Sequence, residues 1–329
     1  HAAAAPWQHI RQIGEDVCAG EMILPSHMTV SPAAIGAMIA GGVLEIEVIR
    51  KPVVGIIPTG DEIIPPCTDP KPGDILEFNG SIFSAMVRSW GAEAVVYPIV
   101  PDKFDQIKEM VAKAADECDM VILNAGSSAG REDFSARVIR ELGEVLYHGI
   151  AIKPGKPAIL GCRGEKVIRG VPGYPVSGII VIEQLLKPLI DHWLKAPAAT
   201  DTYVNATLTR PVVSGLKYQE FVRVRMGCVG GRLMASPLSR GSGVVSSFMK
   251  ADGILEVPQG LEGYEAGEEV SVRLLSPLEK LHNTLVVIGS HDPLVDELAD
   301  MLHLEDSALY ISSSHVGSMG GIMAIRRGE

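Results

Sequence analysis

Residues 53–57 read Val-Val-Gly-Ile-Ile without a polar side chain, and residues 120–123, Met-Val-Ile-Leu, have the same character. Runs this short and this uniformly apolar predict buried strands. A third strand is expected over 94–99. Between the strands the spacing changes. Phe104, Ile107, Met110, Val111, Ala114 and Cys118 keep to one face of a helix over 104–118. Helices are also expected over 81–90 and 133–142, and one long helix over 176–194. Apolar strands alternating with helices imply an α/β fold with a parallel sheet covered on both faces. Ligands of such sheets lie beyond the carboxyl ends of the strands.

The flanking stretches have other characters. Residues 1–49 read as the remnant of N-terminal domains, with too little apolar sequence to fold alone. Within them Ser31-Pro32 marks a helix start and Gly41-Gly42 its end, since serine caps the first turn and proline fits inside it. Residues 50–196 form the α/β domain, and a linker follows at 196–200. Short alternating segments with frequent glycine, such as 203–208 and 221–224, predict a small β-barrel-like domain over 200–276. At 280–329 a second α/β domain opens, with strands at 285–288 and 308–311 around a helix at 293–303. It stops before it closes.

Composition narrows the function classes. A length of 329 residues suits two or three domains at roughly 150 residues each. The net charge of -11 argues against a general nucleic-acid binder, which needs a basic face. Small anions remain open to it, because a local lysine cluster overrides the global sign. The five cysteines are odd in number and form no C-x-x-C pair, which fits reduced thiols and a cytoplasmic protein. No apolar run approaches the roughly 18 residues of a membrane span. The chain starts at His1, so it reads as a piece of something longer, and a targeting segment stays open.

Five motifs can carry chemistry, each with a plainer alternative. Thr59-Gly60-Asp61-Glu62 follows the first strand, where adjacent carboxylates can hold a hard cation; the same residues suit a solvated turn. Asn124-Ala125-Gly126-Ser127-Ser128-Ala129-Gly130, followed by Arg131-Glu132-Asp133, offers backbone N–H groups to an anion, or is a tight loop with Asp133 at a helix start. Lys153-Pro154-Gly155-Lys156-Pro157 puts two cations on a stiffened loop suited to an oxyanion, or on a basic surface turn. Val171 to Ser177 opens the long helix, whose N-terminus favours anions. Ser239-Arg240-Gly241-Ser242-Gly243 can grip phosphate or be a glycine hairpin. His291, His303 and His315 are evenly spaced, but that spacing is not expected to bring them together. Trp7, Trp90 and Trp193 read as packing residues.

The order of these motifs resembles the MoeA and gephyrin E-domain family of molybdopterin molybdotransferases. The matches are Arg11 to Asp16, Thr59 to Glu62, Pro72 to Ile75 with Asn79, Val100-Pro101-Asp102, Gly126 to Gly130 with Asp133, Lys153 to Pro157, Pro172 to Ser177 and Arg240 to Ser247. They span about residues 9 to 276. The resemblance implies an enzyme that inserts molybdate into adenylylated molybdopterin and releases AMP. Glu62, Asp102 and Asp133 are then the catalytic acids, with Glu62 and Asp102 holding a divalent metal such as Mg2+. Thr59, Gly60, Gly126, Ser127, Ser128, Gly130, Lys153, Lys156, Pro172, Pro175, Ser177, Arg240 and Ser242 bind substrate, and a homodimer is implied.

Three departures from the family pattern stand out, the first two on the pterin side, where they bear on the substrate, and the third on the completeness of the active centre. The family loop Gly-Gly-Val-Ser-Val-Gly is here Ala125-Gly126-Ser127-Ser128-Ala129-Gly130. The family Pro-Gly-Asn-Pro is Pro172-Gly173-Tyr174-Pro175. An upstream Asp-Gly-Tyr-Ala segment, which in family dimers helps complete the partner's site, is absent. The stretch after 280 resembles the periplasmic-binding-protein-like domain fused to some family members, with Ser312 to Gly321 as a loop able to take an oxyanion or a pterin. Two other functions stand beside the transferase. One is a molybdopterin adenylyltransferase, which the β domain speaks against. The other is a non-catalytic molybdopterin or molybdate-binding module, against which the three acids weigh.

Overall fold

In the computed structural model, residues 3, 5–125, 134–197 and 201–328 are described. Six strands make the first sheet: β1 (Val53–Pro58), β2 (Glu93–Val96), β3 (Met120–Ala125), β4 (Glu144–His148), β5 (Ile159–Arg163) and β6 (Lys166–Pro172). Their order is β2-β1-β3-β6-β5-β4. β1 pairs in parallel with β2 on one side and β3 on the other, and β3 with β6. The chain therefore reverses its winding direction between β1 and β3, which opens a crevice at their carboxyl ends. The fold is the expected α/β class, yet the sheet is mixed: β5 runs antiparallel to both β6 and β4. A tight turn at Gly164, with φ 58°, joins β5 to β6, and residues 149–158 return from β4 to β5 without a helix, as antiparallel neighbours allow.

Both faces are covered. One apolar core holds Ile57, Val111, Leu123 and Ile139 under helices α3 (Phe104–Glu117) and α4 (Phe134–Leu142). The other holds Ile56, Phe83, Ile122 and Ile182 under α2 (Asn79–Ser89) and α5 (Pro175–Leu185). The long helix expected to reach 194 breaks at Leu186, and α6 (Lys187–Leu194) starts anew. Pro188 explains the break, since it lacks the N–H that would bond back one turn. The strand expected over 94–99 stops at Val96, shortly before Pro98.

The second domain is a closed barrel of β7 (Tyr203–Leu208), β8 (Gln219–Val229), β9 (Arg232–Pro237), β10 (Gly253–Val257) and β11 (Glu269–Leu274). Pairing of β8 with β9, and of β9 with β7, closes the ring and removes its edges. Ile152–Lys153 adds in parallel beside Gln219 and Glu220 of β8. Ile180 of α5 packs on Phe221 and Ile254 of the barrel. The barrel is thus hydrogen-bonded and packed against the first domain.

At the start, Ser31 caps the helix Pro32–Ala40 and Gly41 follows it, as expected. Trp7 is not a packing residue: it is 75% exposed, and Met38 is the buried apolar residue of this region. At the far end, β12 (Thr284–Gly289) and β13 (Tyr310–His315) pair in parallel. The residues read as a loop, Ser312 to Gly321, instead finish β13 and open the helix Gly317–Arg327.

Candidate functional site

The crevice at the switch of winding is built by β1 and its neighbours. Thr59 leaves β1 with its N–H donating to the Asn124 carbonyl at 2.9 Å, and Gly60 N–H donates to Val100 O at 3.2 Å. Gly60 has φ 147°, and a Cβ there would sit 2.5 Å from Ile63 Cγ1, so glycine is required at this turn. Asp61 accepts the Asp102 N–H at 3.1 Å, which fixes the two acidic segments side by side. A cavity of about 520 Å³ opens there, lined by Thr59, Glu62, Asp102, Asn79, Asn124 and Tyr174 among others. Burial raises the Asp102 carboxyl above its ordinary range, and the charges of Asp61 and Glu62 raise it further. Such a cluster attracts a cation or a proton.

Two amides tie the strand ends together. Asn79, the first residue of α2, donates to Asn124 Oδ1 at 3.0 Å and to Gly173 O at 2.6 Å. Asn124, near the end of β3, donates to Val171 O and Pro172 O of β6. The floor of the crevice is thereby fixed across three elements.

A second cavity, of about 250 Å³, lies where the lysine loop meets the barrel. Lys153, Lys156, Arg223 and Arg240 line it with one carboxylate, Glu220, and the hydroxyl-bearing Ser177 and Ser242. Glu220 is only 3% exposed; one of its oxygens lies 3.1 Å from Lys153 Nζ and 3.2 Å from Arg240 Nη1. Arg223, equally buried, donates to the carbonyls of Ser239 and Gly241. Burial holds its guanidinium below the ordinary arginine value. Its bonds are to neutral carbonyls, and its Nε has no partner among the described residues. A buried cation without an opposite charge is costly, and an anion entering the cavity would relieve it.

The two cavities share a wall. Tyr174 and Pro175 face the first and Ser177 the second, while Gly243 faces the first and Ser242 the second. Val176 N–H donates to Ser242 O at 3.0 Å, which seats the 239–243 loop on the start of α5.

Thus Thr59, Glu62, Asp102 and Pro175 gather at one cavity, and Lys153, Lys156, Ser177, Arg240 and Ser242 at the other. Gly60 lines an adjoining hollow with Asp61. Pro172 ends β6 beside Ala125, beneath the crevice. Gly126, Ser127, Ser128, Gly130 and Asp133 lie outside the described residues. Sequence reasoning missed Glu220 and Arg223 and gave no role to Asn79 or Asn124. Arg223 inside the apolar run Phe221-Val222-Val224, with Glu220 directly before it, was the available signal. It also missed that His291 and His315 meet, with their Nδ1 atoms 3.0 Å apart. Parallel pairing of β12 and β13 brings together histidines that the sequence spacing alone would separate.

Residues 55–192 match the family model described as a probable molybdopterin binding domain. Residues 205–275 match the MoeA C-terminal region, domain IV. The chain is 31% identical over 279 residues to a putative molybdopterin biosynthesis protein of Methanocaldococcus jannaschii, covering 82% of this chain and 67% of that one. It is 29% identical over 269 residues to the molybdopterin molybdenumtransferase of Bacillus subtilis, covering 81% and 63%. Among solved structures, the molybdopterin biosynthesis MoeA protein of Pyrococcus horikoshii superposes with a TM-score of 0.67 at 34% identity, over 80% of this chain and 64% of that one. The chain therefore spans about two thirds of the length of these relatives.

Proposed function

The chain belongs to the MoeA family of molybdopterin biosynthesis proteins, and from that premise we propose that it inserts molybdate into adenylylated molybdopterin with release of AMP. The observation that carries the proposal is the pair of cavities meeting at the start of α5, one acidic and one cationic. Lys153, Lys156, Arg223 and Arg240 outnumber Glu220, so the smaller cavity attracts a small dianion such as molybdate. The larger cavity takes the pterin nucleotide between Thr59, Asn79 and Tyr174. Ser177 and Ser242 present hydroxyls beside the shared wall, where the sulfurs would meet the anion.

Raised by burial and by its acidic neighbours, Asp102 together with Glu62 fits a divalent cation such as Mg2+, with Asp133 the third acid that the resemblance implies. When bound, that ion supplies charge neutralisation at the phosphate oxygens as AMP departs. Asp61 holds the Asp102 backbone in place, and the Asn79–Asn124 pair keeps the strand ends from parting. We further propose a homodimer in the cytoplasm. Its support is the apolar surface before residue 50, where Trp7, Ile13 and Leu44 are each more than 70% exposed.

The test is to incubate the chain with adenylylated molybdopterin and molybdate and to follow AMP by chromatography. AMP should appear only when molybdate is present. Tight pterin binding with no molybdate-dependent AMP would leave a binding module and overturn the transferase.

A further inference from the structure

His291 follows β12 and His315 ends β13, so both stand at the carboxyl ends of the same parallel pair, far along the chain from the acids of the crevice. Their Nδ1 atoms are 3.0 Å apart and their ring centres 4.3 Å apart, with the ring planes at 89°. A hydrogen bond, a shared ion and an edge-to-face ring contact can each bring imidazole nitrogens this close. A head-on N–H···N hydrogen bond keeps the rings nearly in line, which puts their centres about 5.3 Å apart. Two nitrogens converging on one ion at about 2.05 Å, with the ion in line with each ring, put the centres about 4.7 Å apart at this N···N distance. The observed separation is shorter than either: the rings meet edge to face, and this leaves the two Nδ1 atoms within reach of one shared ion.

We propose that His291 and His315 form a binding site for a divalent first-row transition ion of the class that imidazole nitrogens hold, such as Cu2+ or Ni2+. Two nitrogens 3.0 Å apart can both lie about 2.05 Å from one ion. Imidazole suits these ions, and magnesium, which favours oxygen, is excluded. Among the described residues no third histidine, cysteine or carboxylate joins the pair. The ion therefore keeps open positions for water or a small anion. Ser290 precedes His291 and Ser318 lies three residues after His315, with their hydroxyls 2.9 Å apart. Both histidines are exposed, so an ion reaches them without any opening of the fold.

The test is equilibrium dialysis of the whole chain against micromolar Cu2+ and Ni2+, after alkylation of its thiols, because Cys18 and Cys67 are exposed and bind soft ions. The Cu2+ form is also read by electron paramagnetic resonance for nitrogen coupling. One equivalent should bind, with coupling from two imidazoles, and His291→Ala or His315→Ala should each weaken it at least tenfold. Circular dichroism checks that both variants are folded. Absence of an equivalent bound at 100 µM free ion would overturn the site. So would binding that both single variants retain.

Discussion

Replacing Lys153 with alanine should separate anion capture from folding. The side chain is 54% exposed, and its partner Glu220 keeps Arg240 at 3.2 Å when the lysine is gone. A half-exposed ion pair contributes at most about 1 kcal/mol to stability. An incoming dianion loses more. It forfeits one charge-assisted bond, worth about 1.5–3 kcal/mol, and it meets a Glu220 carboxylate that is less well neutralised. At 1.4 kcal/mol per tenfold, molybdate affinity should fall about 10- to 150-fold. Lys156→Ala should have a smaller effect, since that ammonium lies 5.7 Å from the Tyr218 ring centre and pairs with no acid of the cavity among the described residues. Equilibrium dialysis with labelled molybdate gives the affinity, and urea unfolding gives the stability. Raising the salt should shrink the difference, because both cations reach solvent. An unchanged affinity would mean that the lysine loop is only a basic surface turn. A stability loss above about 3 kcal/mol would mean that the lysine is structural.

Asp102→Asn should raise the melting temperature at pH 7 while stopping AMP release. The folded carboxyl titrates above its ordinary value, so its ionised form opposes folding at neutral pH, and the gain should vanish below about pH 4; calorimetry across pH 3 to 8 checks this. Asp119→Ala should cost about 1–2 kcal/mol in urea unfolding, because Asp119 accepts the Val53 N–H at 2.8 Å and pairs with Arg50. The Arg50 bond chiefly holds the Asp119 carboxyl below its usual range, so this stability is present above about pH 4 and is lost as the pH falls through the lowered value. In Gly178→Ala the new methyl group would lie 2.4 Å from Phe83 Cζ, so we expect a loss of about 1–3 kcal/mol. Adding Phe83→Leu should recover part of it, and a loss that the second change leaves untouched would place the clash elsewhere.

Much of the first domain was legible because its central strands are apolar on both faces. Residues 53–57 and 120–123 announce themselves, and α3 keeps strict helical spacing. β4 gave no such signal, since it lies at the sheet edge with Leu146 and Tyr147 exposed. Glu62 was legible because it stands just after β1, whereas Asp102 lies six residues beyond the end of β2 and was found only through the family resemblance. The cationic cavity was legible only by half. Lys153 and Lys156 stand out in a proline-stiffened loop, whereas Glu220 and Arg223 become site residues only when Ile152–Lys153 pairs with β8. That pairing joins residues more than 60 positions apart, and no local pattern encodes it. The histidine pair was illegible for the same reason: it exists through the register of β12 on β13.

Molybdenum absorption spectroscopy on the chain mixed with adenylylated molybdopterin and molybdate tests the central claim most directly. Transfer should convert an oxygen-only environment into one with two sulfur neighbours, in step with AMP release, and the Lys153→Ala and Asp102→Asn variants should slow that conversion. Molybdenum that stays surrounded by oxygen alone, with nucleotide and anion both bound, would contradict the account.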